Sequence, residues 1–193
     1  MCASMTPRIP PVDLDAMDDE TRSLLDSLTG VRGDRVDHLN VFTTLAQHPK
    51  LFKRWLVFAN HVLVKSSLPA RDRELAILRA GWRCSAPYEW GQHVVIARRA
   101  GIDDEEIARI AVGPDAPGWS DADAAILRAV DELHDQATIT TPTWAALAQR
   151  YDRHQLMDLV FAIGQYHLVS YALNAFGVER DDGVSGVPFP DPA

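Results

Sequence analysis

An all-α fold is what this sequence predicts, and three observations carry the prediction. Apolar residues recur at three- and four-residue spacing through most of the chain. No stretch alternates with a period of two well enough to be a strand. Helix starts made of Asp, Ser or Pro, and stops made of Gly or Pro, recur at short intervals. Across 193 residues that punctuation leaves room for about eight helices joined by short connections. The length corresponds to one domain, and 47% of the residues are apolar, enough for a sizeable core. Residues 1–17 are expected to form an extended N-terminal arm, 18–178 the helical domain, and 179–193 an irregular tail.

The arm is extended because Pro10 and Pro11 fix φ and donate no hydrogen bonds. A first helix is expected from about Asp18 to Leu28, with Asp18, Asp19 and Glu20 favouring its positive end and Gly30 stopping it. Asn40 is placed to cap a short helix ending near His48. Pro49 then opens a helix carrying Leu51, Trp55, Phe58 and Val62 on one face. Ser67-Leu68-Pro69 starts another, which runs through Glu74, Leu75, Leu78 and Trp82 and breaks near Ser85-Ala86-Pro87, because a proline disfavours helix in the residue before it. The next helix spans about Pro87 to Ala100 and closes at Gly101. Asp103 caps the one after it, Ser120 with Asp123 caps another, and Thr141-Pro142 opens a further one. A long apolar helix covers about His154 to Ala175, and the chain from Gly177 is rich in Gly, Asp and Pro. The pentapeptide Ala76-Ile77-Leu78-Arg79-Ala80 recurs as Ala125-Ile126-Leu127-Arg128-Ala129. Two helices of similar design explain this, as does an old duplication.

Charge narrows the function classes. There are 19 Lys and Arg against 27 Asp and Glu, a net −8, with no basic stripe, so nucleic acid is not an expected partner. The longest apolar runs, such as Val94-Val95-Ile96-Ala97, fall far short of a membrane span, and no membrane partner is expected. The first residues carry no positive flank or long apolar centre of a signal peptide, and Cys2 and Cys84 make no disulfide framework. The expected location is the cytoplasm. The Asp103-Asp104-Glu105-Glu106 run reads as a helix start. His38, His48, His134, His154 and His167 have no spacing that singles them out.

Residue types able to do chemistry are densest between Arg71 and His93. Glu89 and His93, four apart on the helix after the break, share a face, with Tyr88, Trp90 and Gln92 beside them. The break lets the preceding helix fold back and bring Glu74 toward that face. Carboxylates around a histidine can hold and move protons near neutrality. An exposed Glu–His pair, with Glu74 a surface charge beside Arg71 or Arg73, is the plainer reading of the same spacing.

Leu68-Pro69-Ala70-Arg71-Asp72-Arg73-Glu74-Leu75, Trp82-Arg83-Cys84, Tyr88-Glu89-Trp90-Gly91-Gln92-His93, Ala97 and Gly101-Ile102 resemble the carboxymuconolactone decarboxylase family, which belongs with the alkylhydroperoxidase D proteins. The similarity runs from the Pro-rich arm at Arg8 to about Val178. It implies an interlocked all-α fold and a homo-oligomer, commonly a trimer or hexamer. In the alkylhydroperoxidase D branch, a Glu and a His nineteen positions apart relay protons to a Cys-x-x-Cys pair. Glu74 and His93 match that relay, while the two cysteine positions fall on Ala86 and Glu89. A disulfide cycle needs an attacking thiolate with a resolving partner, so that branch's chemistry is disfavoured.

The decarboxylase branch lacks these cysteines and uses no known organic cofactor. The resemblance therefore implies cofactor-independent lyase or isomerase chemistry on a small unsaturated lactone or related acid. Its implied roles are His93 as proton donor or acceptor and Glu74 as the group that orients it. Tyr88 would polarise a carbonyl or enolate oxygen, and Glu89 would exchange a proton or position substrate. His61, Cys84 and Trp90 are candidate substrate contacts. Three alternatives stand beside this reading: a peroxide-handling protein using Cys84 alone, a non-catalytic binding module on the same fold, and metal binding by Glu74, Glu89 and His93. The last is a weak ligand set, and no metal is assigned to it.

Overall fold

The structure is a computed structural model that describes residues 6–28 and 39–190. Among these residues there are nine α-helices and no strand: α1 (Asp19–Asp26), α2 (Asn40–Leu45), α3 (Pro49–Asn60), α4 (Ala70–Arg83), α5 (Pro87–Arg99), α6 (Asp104–Val112), α7 (Asp121–Gln136), α8 (Thr141–Arg150) and α9 (Arg153–Phe176). A π-helical turn, His61–Lys65, extends α3. The all-α prediction holds, with one helix more than the approximate count. The expected stop at Gly30 lies outside the described residues, as do Cys2 and His38.

Most helix starts follow the capping chemistry read from sequence. Asp18 accepts from the Thr21 N–H, Asp103 and Glu106 form a reciprocal capping box, and Ser120 accepts from the Asp123 N–H. Pro49 and Pro87 sit in the first turns of α3 and α5. Three local expectations are corrected. Asn40 lies inside α2 rather than capping it, because its amide donates to the Glu179 carbonyl and its backbone N–H to Asp181. The α8 cap is Thr140, one residue before Thr141, and its hydroxyl bonds Glu132 of α7 and the Thr143 hydroxyl instead of a backbone N–H of its own helix. On α3 the buried apolar side chain is Phe52, and Leu51 faces outward.

Helix α4 is the axis of the molecule. Every residue from Asp72 to Gly81 is buried, although four of them carry charge. Burying a lone ion costs several kcal/mol, so each must find a counter-charge. Asp72 takes Arg150 at 2.9 Å and the Tyr151 hydroxyl at 2.6 Å. Arg79 reaches Asp131 of α7 through two 2.8 Å bonds and also donates to the carbonyls of Ile110 and Ala111 near the end of α6. Gly113, at φ +119°, gives that guanidinium room: a Cβ there would lie 3.0 Å from Nη2. The repeated pentapeptides lie on α4 and α7, which pack together, and the Ala, Ile and Leu of both copies are buried. Their arginines differ, since Arg128 forms an exposed pair with Asp115.

After α4 the chain reverses through Ser85, a non-glycine residue at φ +49°, and α5 returns antiparallel to α4. Helix α9 packs across both. It is long and apolar enough to cross a bilayer, but over half of its most apolar stretch is buried inside the protein. The tail beyond Gly177 is non-helical but packed. Val184 is buried against Gly91, and the arm is tied down where the Arg8 N–H donates to the Phe176 carbonyl at 2.8 Å.

The two equivalent arginines should respond differently to truncation. Arg79→Leu leaves Asp131 and two carbonyls without their donor and should lower the unfolding free energy by about 3 kcal/mol. Arg128→Leu should lower it by less than about 1 kcal/mol. Urea denaturation of both variants measures the contrast.

Candidate active site

Glu74 projects from α4 and is fully buried. His93, on α5, donates through Nδ1 to Glu74 Oε2 at 2.7 Å. The other ring nitrogen, Nε2, is 3.0 Å from Glu89 Oε1 one turn earlier on α5. Arg73 donates through Nε to the second Glu74 oxygen at 3.2 Å. The four groups form a buried chain, Arg73–Glu74–His93–Glu89, that is neutral overall when the imidazole is charged. The Tyr166 ring of α9 meets the imidazole edge to face, with centroids 4.8 Å apart.

Burial opposes a charge on His93, but Glu74 and then Glu89 outweigh it and hold its pKa up at about 9. The same carboxylates, after burial itself, push the Tyr166 phenol well above its ordinary value, so it remains an O–H donor.

The chain opens into a cavity of about 640 Å³. Glu89, His93, Gln92, Gln165 and Tyr166 provide its polar wall, and Val41, Phe42, Leu56, Ile96 and Val169 provide apolar surface. Trp55 also lines it, and its buried indole N–H has no acceptor among the described residues. Lys53 and Lys65 contribute exposed cationic residues to the lining. Such a volume fits a small molecule, and the polar groups converge on one side of it.

The structure thus brings Glu74, Glu89 and His93 together. It does not leave a His93 nitrogen free for substrate, because Glu89 occupies that side. Tyr88 lines the cavity, but its hydroxyl donates to Asp181 Oδ2 at 2.6 Å and accepts from the Val41 N–H at 3.1 Å. It therefore positions structure rather than polarising a substrate oxygen. Burial first, then Asp181, drives its pKa far upward. Trp90 does not line the cavity. Its indole donates to the Pro188 carbonyl and stacks edge-on against Phe189 of the tail. His61 points out to Asp158 at 3.0 Å, and Cys84 lies past the end of α4, so neither lines the cavity.

Sequence reasoning missed Tyr166, Gln165 and Asp181. Asp181 accepts from Tyr88, Gln92 and the Asn40 N–H at once and holds the tail against α2 and α5. Tyr166 sits between Gln165 and His167 on a long, mostly apolar helix, and nothing in spacing marks it. Asp181 lies in a segment expected to be irregular.

Comparison with known proteins gives a family match over part of the chain and a fold. Residues 49–132, which include Glu74, Glu89 and His93, match the carboxymuconolactone decarboxylase family. An alkylhydroperoxidase AhpD core, an uncharacterized peroxidase-related protein from Ralstonia eutropha JMP134, is similar with a TM-score of 0.78 and 19% identity over 93% of this chain and 95% of that one. A peroxidase-related protein from Silicibacter sp. TM1040 has a TM-score of 0.78 and 15% identity over 95% and 98%. The debrominase Bmp8, solved as a Cys-to-Ala variant with 2,3,4-tribromopyrrole, has a TM-score of 0.71 and 13% identity over 94% and 95%. Among curated proteins none matches by sequence.

The raised His93 pKa has a consequence for stability. A group whose folded pKa exceeds its unfolded value, about 6.5 for His, contributes stability that is fully present below that value and is lost as pH rises through about 9. Unfolding free energy should therefore decline between roughly pH 6.5 and 9. His93→Gln, which still offers Glu74 a donor, should flatten that decline. Denaturant titrations at several pH values measure both.

Proposed function

We propose that this chain, whose residues 49–132 belong to the carboxymuconolactone decarboxylase family and whose fold is AhpD-like, is a cofactor-independent acid–base enzyme. Its substrate on this reading is a small unsaturated lactone or related acid, and its reaction is of the carboxy-lyase type. The observation that carries the reading is the Glu74–His93–Glu89 chain ending at an apolar-walled cavity. Glu89 occupies the position where the peroxide-reducing branch places a thiol. The relay therefore delivers a proton to a carboxylate instead of to sulfur.

In the decarboxylation, the carbon–carboxylate bond breaks and CO₂ leaves. The electron pair passes into the conjugated lactone as a dienolate. Glu89, supplied through His93, protonates carbon, and solvent restores the proton. Glu74 keeps Nδ1 occupied and fixes the ring. The Tyr166 phenol, in the cavity lining, is a donor available to the oxygen that gains charge. The flat tribromopyrrole ring held by the debrominase shows that a related fold accepts a small unsaturated ring. A peroxide reaction at Cys84 has less support, because burial pushes that thiol up to about 11 and it lies away from the cavity.

Glu74→Gln and His93→Gln should each slow single-turnover CO₂ release from a responsive lactone or β-keto acid by about 10²- to 10⁴-fold. The double variant should lose little more than either one. Additive losses, or peroxide consumption with a dithiol donor in place of CO₂ release, would overturn the reading.

We also propose that the protein is a homo-oligomer. Met157, Phe161, Leu168 and Tyr171 form an exposed stripe along α9, and Val57 and Val64 extend apolar surface to the cavity lining. Tyr166, on the same helix, is instead buried against His93. Light scattering at micromolar concentration should give a multiple of the 21.4 kDa chain mass, and Phe161→Glu should reduce it.

A further inference from the structure

We propose that Cys84, His134 and His167 form a metal site, separate from the acid–base cavity, that takes a borderline divalent ion of the Zn²⁺ class and leaves a fourth position open. Cys84 sits just past the end of α4, His134 in the last turn of α7 and His167 midway along α9. The Cys84 sulfur and one nitrogen from each histidine all lie within 4.8 Å of one another. Donors bound to a tetrahedral zinc at its usual Zn–N and Zn–S lengths stand roughly 3.3 to 3.7 Å apart. Small side-chain adjustments therefore reach that geometry.

The surroundings are already arranged for ligation. His167 Nδ1 lies 2.8 Å from the Ile163 carbonyl, which can only accept, so Nδ1 carries the hydrogen and Nε2 presents its lone pair. That lone pair points at His134 Nδ1, 3.0 Å away. A backbone carbonyl fixing the far nitrogen is the support a metal-bound histidine normally has. The bridging proton between the two rings occupies the place an ion would take. On an ion's binding, the single ring hydrogen of His134 is exchanged through solvent from Nδ1 to Nε2, and the Cys84 thiol releases its proton to solvent and binds as thiolate.

A second observation points the same way. Ser170, one turn beyond His167, is completely buried, and its hydroxyl lies against the Cys84 sulfur, where it favours the thiolate. A buried hydroxyl needs an acceptor, and the sulfur of Cys84 is the group beside this one. A metal-bound thiolate is a strong acceptor at that place. The nearby cation, Arg83, disfavours positive charge at His134, but it is paired with Asp135 and Asp131, and both carboxylates favour positive charge there. Two imidazoles and a thiolate suit zinc or cobalt and not the oxygen-seeking Mg²⁺ or Ca²⁺. None of the three ligands lines the cavity; His167 and Tyr166 are neighbours on α9 that face different ways.

The test uses the full-length reduced protein in a Cys2→Ser background, so that Cys84 is the single thiol, after chelator treatment. Titration with Co²⁺ should saturate at one equivalent, with intense tetrahedral visible bands and a thiolate-to-cobalt charge-transfer band. Zn²⁺ should remove both, and a large excess of Mg²⁺ should remove neither. Cys84→Ser should abolish the charge-transfer band. His134→Ala, whose ring is the least enclosed of the three, should weaken Co²⁺ binding at least 10-fold while circular dichroism remains native. Should Cys84→Ser fail to fold, protection of Cys84 from alkylation by one equivalent of Zn²⁺ replaces it. No tetrahedral spectrum, a spectrum unchanged in either folded variant, or no Zn²⁺ protection would overturn the proposal.

Discussion

The bond between Glu74 and His93, across the antiparallel pair of α4 and α5, is the interaction on which the rest of the site depends. A carboxylate with no exposed surface in the middle of a core helix cannot stay ionised alone. Arg73 and the imidazole supply the opposing charge from two sides, and Glu89 balances the imidazolium in turn. Removing one member leaves the others with an uncompensated charge. The arrangement explains both why His93 is held protonated and why its proton has a defined path to the cavity.

The same constraint organises α4 outside the site. Its remaining buried charges, Asp72 and Arg79, are met by α8, α7 and the end of α6. The packing of the bundle around α4 is thus specified by polar partners as well as by apolar volume. The apolar contacts supply most of the driving force, while the ion pairs select which helix lies where.

Helix α9 serves three surfaces at once. Gln165, Tyr166 and Val169 face the cavity, His167 and Ser170 face Cys84, and Met157, Phe161, Leu168 and Tyr171 face outward. An amphipathic helix with one apolar stripe could not do this. A helix with apolar residues all round can, and the polar groups Gln165, His167 and Ser170 in its middle lie on its two inward faces.

Much of the fold was legible in the sequence because helix boundaries are set locally. Asp18, Asp103, Ser120 and the prolines at the start of α3 and α5 act within one turn of themselves, so their effect can be read without knowing the rest of the chain. The Glu74–His93 spacing was legible for a related reason: a three-residue break joins the two helices, and short connections leave few ways to fold back. What depended on distant residues was not. Asn40 lost its expected cap to a tail more than a hundred residues away, Tyr88 gave its hydroxyl to Asp181, and Trp90 turned toward Pro188 instead of the cavity. Cys84, His134 and His167 carry no pattern in sequence because three separate helices supply them. Local propensity determined the helices and the pair that one tight reversal joins; the packing of remote segments, each obliged to satisfy its buried polar groups, decided which side chains face the cavity and which face each other.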